Sequence, residues 1–159
     1  MRRLITIITI CFTLISINAQ KAAYIDFYKA HKEDAKFSMS VPVSLANFLA
    51  DEGDSEELDI LLKKAKHCKV MVFNNEDNEV SSDFKKFVKS RKLKTLIRVK
   101  EGKNRAAVYF VEKKDLIQEI IIKAKGDEEG LVMVGLKVTL TKDELASIMS
   151  ELKTKQASR

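Results

Sequence analysis

The sequence predicts an α+β fold with two layers, a mostly antiparallel sheet and helices packed on one face of it. Two observations predict this class. Between residues 95 and 139, apolar residues recur with a period of two and short polar breaks interrupt them, which is typical of antiparallel hairpins. Elsewhere, most clearly at 56–67 and 145–152, apolar residues recur with helical spacing. Helices set apart from an antiparallel sheet define the α+β class.

The part of the chain before residue 95 alternates helical and extended patterns. The continuous apolar run at 70–73 predicts a strand covered on both faces, which places it in the interior of the sheet. Pro42 ends the strand before it. The expected elements are, in order, a helix at 22–32, a strand at 37–41, a helix with Leu45, Phe48 and Leu49, a helix at 56–67, the strand at 70–73 and a helix around 84–88.

The second half predicts a four-stranded C-terminal meander followed by one helix. The sequence Thr141-Lys142-Asp143-Glu144 is a capping box, in which the side chains of the first and last residues hydrogen-bond each other's backbone at a helix start. The helix that follows carries an apolar stripe from Leu145 to Leu152. The four expected strands are 95–101, 105–112, 116–125 and 130–139.

The N-terminus resembles a secretory signal peptide. Arg2 and Arg3 precede an apolar run at 4–17, and Ala19 provides a small residue for cleavage. The run is shorter than the about 20 residues that a bilayer-spanning helix needs. We therefore expect export by a Sec-type signal peptide to the periplasm, the cell surface or the medium, with Gln20 as the first residue of the mature protein.

Three segments are expected: a signal peptide at 1–19, a single α+β domain at 20–152 and a polar tail at 153–159. Removing the signal lowers the formal net charge from +6 to +4. This modest excess argues against a nucleic-acid partner, which usually meets a concentrated basic patch. Of the two cysteines, only Cys68 remains after cleavage, so no internal disulfide is expected.

One face of the predicted meander is a candidate binding surface. Tyr109, Ile121 and Met133 share one parity and form an apolar centre, while Arg98 and Lys123 lie towards its margins. An apolar patch with a polar rim is typical of a contact site for another envelope protein or a second copy of the chain. The alternative is an ordinary surface on which lysine and arginine stems cover scattered apolar residues.

No catalytic or metal site is predicted, and no cofactor. His67 and Cys68 are adjacent, so on a helix end their side chains diverge and do not form a nucleophile–base pair. The acidic residues at 51–57 lack the ligand spacing of a calcium loop and fit the start of a helix. The basic run at 85–94 gives weak support for contact with anionic lipid.

The layout as a whole resembles the domain of unknown function 4252, a family of small exported proteins of the Bacteroidota envelope. The resemblance is carried by the aromatic helix at 24–28, the strand at 37–41, the strand at 70–72, the sequence Ala107-Val108-Tyr109-Phe110 and the strand at 131–136. It implies an envelope location and a non-enzymatic role, and it transfers no functional residues. The expected function is a protein-binding module, with lipid or small-ligand binding in a cleft between sheet and helices as the alternative.

Overall fold

One six-stranded antiparallel sheet organises the fold, in the order β1-β2-β6-β5-β4-β3. The computed structural model describes residues 21–41, 61, 63–125 and 130–157, with side chains up to 150. The elements are α1 (Ala23–Ala30), β1 (Ala35–Val41), β2 (His67–Asn74), α2 (Glu79–Ser90), β3 (Lys94–Glu101), β4 (Asn104–Lys113), β5 (Leu116–Lys125), β6 (Gly130–Leu140) and α3 (Lys142–Ala157).

The predicted α+β class and the C-terminal meander are confirmed. Strands β3 to β6 follow one another in space as they do in sequence, and each boundary agrees with the predicted one to within a residue. Strand β2 lies between β1 and β6, so the prediction of an interior strand at 70–73 is also confirmed. The expected helix with Leu45, Phe48 and Leu49, most of the helix at 56–67 and the acidic cluster at 51–57 lie outside the described residues.

An aromatic core covers one face of the sheet, called here the aromatic face. Phe27 of α1 lies at its centre, with ring centroids 5.9 Å from Phe73, 5.4 Å from Phe84 and 5.1 Å from Phe87. Phe84 in turn lies edge-on to Tyr109, at 5.4 Å. Edge-to-face rings of this kind add specific attraction to the burial of apolar area. Helices α1 and α2 are therefore held side by side on β2, β6, β5 and β4.

The expectation of an open sheet face at Tyr109, Ile121 and Met133 is wrong. These three side chains are buried in the aromatic core, with 8%, 0% and 0% of their surface exposed. The opposite face, called here the aliphatic face, has its own cover: Leu145 and Ile148 of α3 pack there. Helices thus lie on both faces of the sheet rather than on one. Both parities of the meander are apolar, so the pattern alone does not tell which face α1 and α2 cover.

The N-terminus of α1 is capped by a distant carboxylate. No side chain of its own N-cap residue, Ala22, makes a capping hydrogen bond. Instead the backbone N–H of Ala23 donates to Oε2 of Glu119 in β5, at 2.7 Å. A negative charge at this end of a helix is favourable because the helix dipole is positive there. Burial nevertheless raises the pKa of Glu119 above its usual value, since desolvation outweighs the hydrogen bonds from Ala23 and Tyr24 and the attraction of Lys137.

We expect Glu119→Gln to become progressively more stable, relative to the natural protein, as the pH rises. A carboxyl whose pKa is raised in the folded state binds more protons there than in the unfolded state. The folded protein therefore loses stability as the pH rises from about 4.5 through the folded pKa of this carboxyl. Glutamine keeps the accepting oxygen but does not ionise. Chemical denaturation at a series of pH values gives the difference in unfolding free energy.

Glu112→Gln is the matched control, with the opposite sign. Lys142 and Lys94 lie 2.8 and 2.6 Å from the Glu112 carboxylate and hold its pKa below the usual range. Its contribution is therefore present at neutral pH and is lost as the pH falls through the folded pKa. Glu112→Gln should be less stable than the natural protein at neutral pH and should match it in acid. The same pH trend in both variants would contradict the assignment of Glu119.

The predicted capping box at the start of α3 is confirmed. The backbone N–H of Glu144 donates to Oγ1 of Thr141 at 3.2 Å, and the N–H of Thr141 donates to Oε2 of Glu144 at 2.8 Å. Glu144 also pairs with Lys64, which ties α3 to the chain that precedes β2. Helix α3 continues to Ala157, into the segment expected as a polar tail. Among the described residues, no helix combines the length and apolarity needed to cross a bilayer.

Candidate anion-binding pocket

A pocket of about 790 Å³ lies on the aromatic face, beside the N-terminal end of α2. Its floor is formed by β3, β4 and β5, on the side of the sheet away from β1. Asn78, Ser81 and Ser82 form the wall on the helix side, and Tyr109 closes the end nearest the aromatic core. Its described lining contains six cationic side chains and no acidic one; these are Lys85, Arg98, Lys100, Arg105, Lys123 and Lys125.

Strand pairing places five of these cations in two rows. Arg105 of β4 lies directly opposite Lys100 of β3 on one side and Lys125 of β5 on the other. Two residues further along β4, Arg98 and Lys123 flank Ala107 in the same way. Like charges directly opposite one another on a sheet destabilise it. The first row therefore carries an electrostatic cost in the folded state that a bound anion would offset.

The second row contains Lys123, a partly buried cation. The short side chain of Ala107 leaves space between Arg98 and Lys123. Nζ of Lys123 lies 4.9 Å from the centroid of the Phe84 ring, so the ammonium is partly covered by the aromatic core. Desolvation, followed by the positive charges of its neighbours, chiefly Lys85 and Lys125, lowers the pKa of Lys123 to about 8. A ligand with negative charge would offset the repulsion from these neighbours and raise this pKa again.

The start of α2 adds polar side chains to the wall of the pocket. Asn78, immediately before the helix, has a left-handed backbone, and its Oδ1 accepts a hydrogen bond from Nζ of Lys125. Ser82 follows one turn later, and its N–H donates to the carbonyl of Asn78 at 3.0 Å. The positive end of the helix dipole thus lies at the wall of a pocket that is already cationic. Helix N-termini and arginine or lysine side chains are the groups that bind phosphate in proteins.

The structure brings together three of the five site residues predicted from the sequence. Tyr109, Arg98 and Lys123 all line the pocket. Ile121 and Met133 do not; they are fully buried under α1 and α2. The two charged residues expected at the margin of an apolar binding face are instead part of a cationic site.

Sequence reasoning missed Lys85, Lys100, Arg105 and Lys125 as site residues. The signal for two of them was present, because the turn at 101–104 fixes the pairing of Lys100 with Arg105. Gly102 supports this turn with a backbone φ of +57°. Lys85 belongs to the basic run expected to contact lipid, and its position over the sheet depends on how α2 packs.

The His67–Cys68 pair separates across the two faces, as alternate strand positions require. His67 lies on the aromatic side, where its Nδ1 is 2.7 Å from the Tyr24 hydroxyl. Cys68 packs in the aliphatic core beside Leu136, and burial raises the pKa of its thiol. A raised pKa disfavours the thiolate, which is the reactive form. Within the described residues, no group of three histidine, cysteine or acidic side chains is arranged to hold a metal.

The fold and the pocket together define an α+β domain with a cationic cleft between its sheet and one helix. The model of the family described as Domain of unknown function (DUF4252) matches residues 28–148, and the chain belongs to that family. This match includes all the strands and all the cations of the pocket. No curated protein and no solved structure matches the chain.

Proposed function

We propose that this chain is an exported binding module of the cell envelope, and that its pocket holds the negatively charged part of a ligand. The observation that carries the proposal is the row Lys100, Arg105 and Lys125, in which three cations oppose one another beside the further cations of the same pocket. The cleft lies between sheet and helix, where the small-ligand alternative expects its site. Most of the side chains that line it are cationic or polar and can donate hydrogen bonds to an anion.

The arrangement favours a ligand with more than one negative charge, and phosphate groups in particular. The two rows are two residues apart on their strands, which corresponds to about 7 Å. Arg98 and Arg105 supply planar guanidinium groups, one to each row, and such groups form paired hydrogen bonds to phosphate. The phosphates can belong to a soluble molecule or to a lipid headgroup, and the two sources are distinguished experimentally.

We expect pyrophosphate to bind more tightly than inorganic phosphate, and both to bind less tightly as the salt concentration rises. Lys85→Met should weaken the binding of pyrophosphate about tenfold or more, because a hydrogen bond to a charged group contributes roughly 1.5–3 kcal/mol. Isothermal titration calorimetry at low and high salt measures both effects. Removing the partly buried charge with Lys123→Met should abolish binding and raise the melting temperature of the ligand-free protein.

Lys89→Met is the matched control, since Lys89 is an exposed lysine one turn further along α2 that does not line the pocket. It should bind pyrophosphate like the natural protein. Equal weakening by Lys85→Met and Lys89→Met would show unspecific charge attraction, and no binding of either anion at low salt or of vesicles would exclude the pocket as an anion site. Sedimentation with phosphatidylglycerol vesicles, against phosphatidylcholine vesicles, tests the headgroup source.

Export rests on the signal-like segment at 1–19, which lies outside the described residues. The full-length gene product is therefore expressed, and the protein is purified in the form that remains after any processing by the cells. Mass spectrometry of its N-terminus should find Gln20, and an intact Met1 would contradict export.

A further inference from the structure

The two edges of the sheet differ sharply in charge. Edge strand β3 carries Lys94, Arg98, Lys100 and Glu101, and charges of this kind prevent unwanted pairing with another strand. Edge strand β1 carries one charge, Lys36, which lies at the bulge between Ala35 and Phe37. Beyond that bulge, Phe37 to Val41 pairs regularly with β2 and contains no charged residue. In the described part of the chain, no strand pairs with the outer side of β1.

Strand β1 also carries the two most exposed large apolar side chains of the described residues. Phe37 and Met39 have 51% and 46% of their surface exposed, although both lie on the aliphatic face of the sheet. They end two apolar rows that cross neighbouring strands: Phe37 with Val72 and Val132, and Met39 with Val70 and Val134. Each row ends at β1 in a side chain that has about half of its surface exposed to solvent.

We propose that β1 pairs with β1 of a second copy of this chain, antiparallel, about a two-fold axis through Met39. In this register Met39 lies opposite the second copy's Met39, Phe37 lies opposite Val41 and Ser38 lies opposite Ser40. Every pair matches apolar with apolar or hydroxyl with hydroxyl, and Lys36 falls outside the paired stretch. The two sheets join into one, and both apolar rows continue across the axis.

A second copy fits β1 better than it fits the other edge. Pairing β3 with itself about Ile97 would place Lys94 opposite Lys100, a repulsion that would occur twice. Two-fold pairing also requires a strand that complements itself, and the uncharged, alternating stretch from Phe37 to Val41 does so. The anion pocket lies on the other half of the sheet, so a dimer would carry one pocket towards each end. Dimerisation and anion binding would therefore not depend on each other.

Charge substitution at the axis tests this pairing and its register. Met39→Lys places two positive charges opposite each other, and Met39→Glu places two negative charges there, so each variant alone should be monomeric. Mixed in equal amounts, the two should form a heterodimer. Analytical ultracentrifugation over a range of concentrations measures the association, and native mass spectrometry identifies the mixed species. The natural protein should dimerise as its concentration rises.

Val99→Lys is the control, because Val99 is 42% exposed on the same face but lies in the opposite edge strand. It should dimerise like the natural protein, and circular dichroism should show all the variants folded. The proposal is overturned if the natural protein is monomeric at every concentration or if Met39→Lys remains dimeric. It is equally overturned if mixing the two Met39 variants does not restore dimers.

Discussion

Replacing Gly135 with alanine is expected to destabilise the protein by about 3 kcal/mol or more, at the upper end of the cost of overpacking a core. A Cβ atom at this position would lie 2.3 Å from Cγ of Tyr24 and 2.4 Å from its Cδ2, far inside contact distance. Tyr24 is completely buried, and its ring lies against the bare backbone of β6. The ring has no free space to enter, so α1 must move away from the sheet.

The displacement of α1 would break two hydrogen bonds that position it. One joins the Tyr24 hydroxyl to Nδ1 of His67, and the other joins Ala23 to Glu119. Thermal and chemical denaturation measure the loss of stability. Gly130→Ala is the matched control in the same strand: a Cβ there meets nothing within 4 Å, so the change should be less than about 1 kcal/mol.

A double-mutant cycle separates the clash from other effects of alanine at this position. Tyr24→Ala removes the ring that the new Cβ would meet. If the clash is the cause, Gly135→Ala should cost little further stability in a Tyr24→Ala background. Additive losses would contradict the assignment and would point to the backbone of β6.

The second large effect is expected for Phe27→Ala, at about 3–5 kcal/mol, the usual cost of deleting a buried phenylalanine. Phe27 is 4% exposed, and its ring contacts rings of α2 and β2 as well as His31, 4.6 Å away on its own helix. Deleting it leaves a cavity between three elements. A domain of this size is stable by roughly 5–15 kcal/mol, so the variant would lose a large share of its stability.

Phe27→Leu should lose less, because leucine refills part of the cavity. Lys29→Ala, an exposed position on the same helix, should change stability by no more than about 0.5 kcal/mol. Denaturant titration of the three variants gives the comparison. An equal loss of stability in Phe27→Ala and Lys29→Ala would contradict this prediction, because it would show that the aromatic core does not hold α1 on the sheet.

The meander and the capping box could be predicted because local rules determine them. Short loops favour the pairing of neighbouring strands as hairpins, and a threonine three residues before a glutamate, followed by an apolar stripe, indicates a helix start. The face that α1 and α2 cover could not be predicted in this way. Tyr109, Ile121 and Met133 on one parity are as apolar as Ile120, Leu136 and Val138 on the other.

The residues that determine which face α1 and α2 cover lie in helix α1 and at one glycine of β6. Helix α1 presents Tyr24 and Phe27, which need a deep surface, and Gly135 provides it by having no side chain. Recognising this match requires knowing that residues more than a hundred positions apart will meet. Part of the pocket could be predicted, because the hairpin register aligns Lys100 with Arg105. The position of Lys85 could not, because it depends on how α2 packs on the sheet.

The cap that Glu119 places on α1 has a consequence for the order of folding. Helix α1 has 8 residues, and isolated helices shorter than about 12–15 residues are marginal in water. Its cap belongs to β5 and the backbone against which Tyr24 packs belongs to β6, so α1 cannot dock stably before those strands have formed. Without β5 and β6, α1 has neither its cap nor the surface on which Tyr24 packs, and we infer that docking of α1 is a late step in folding.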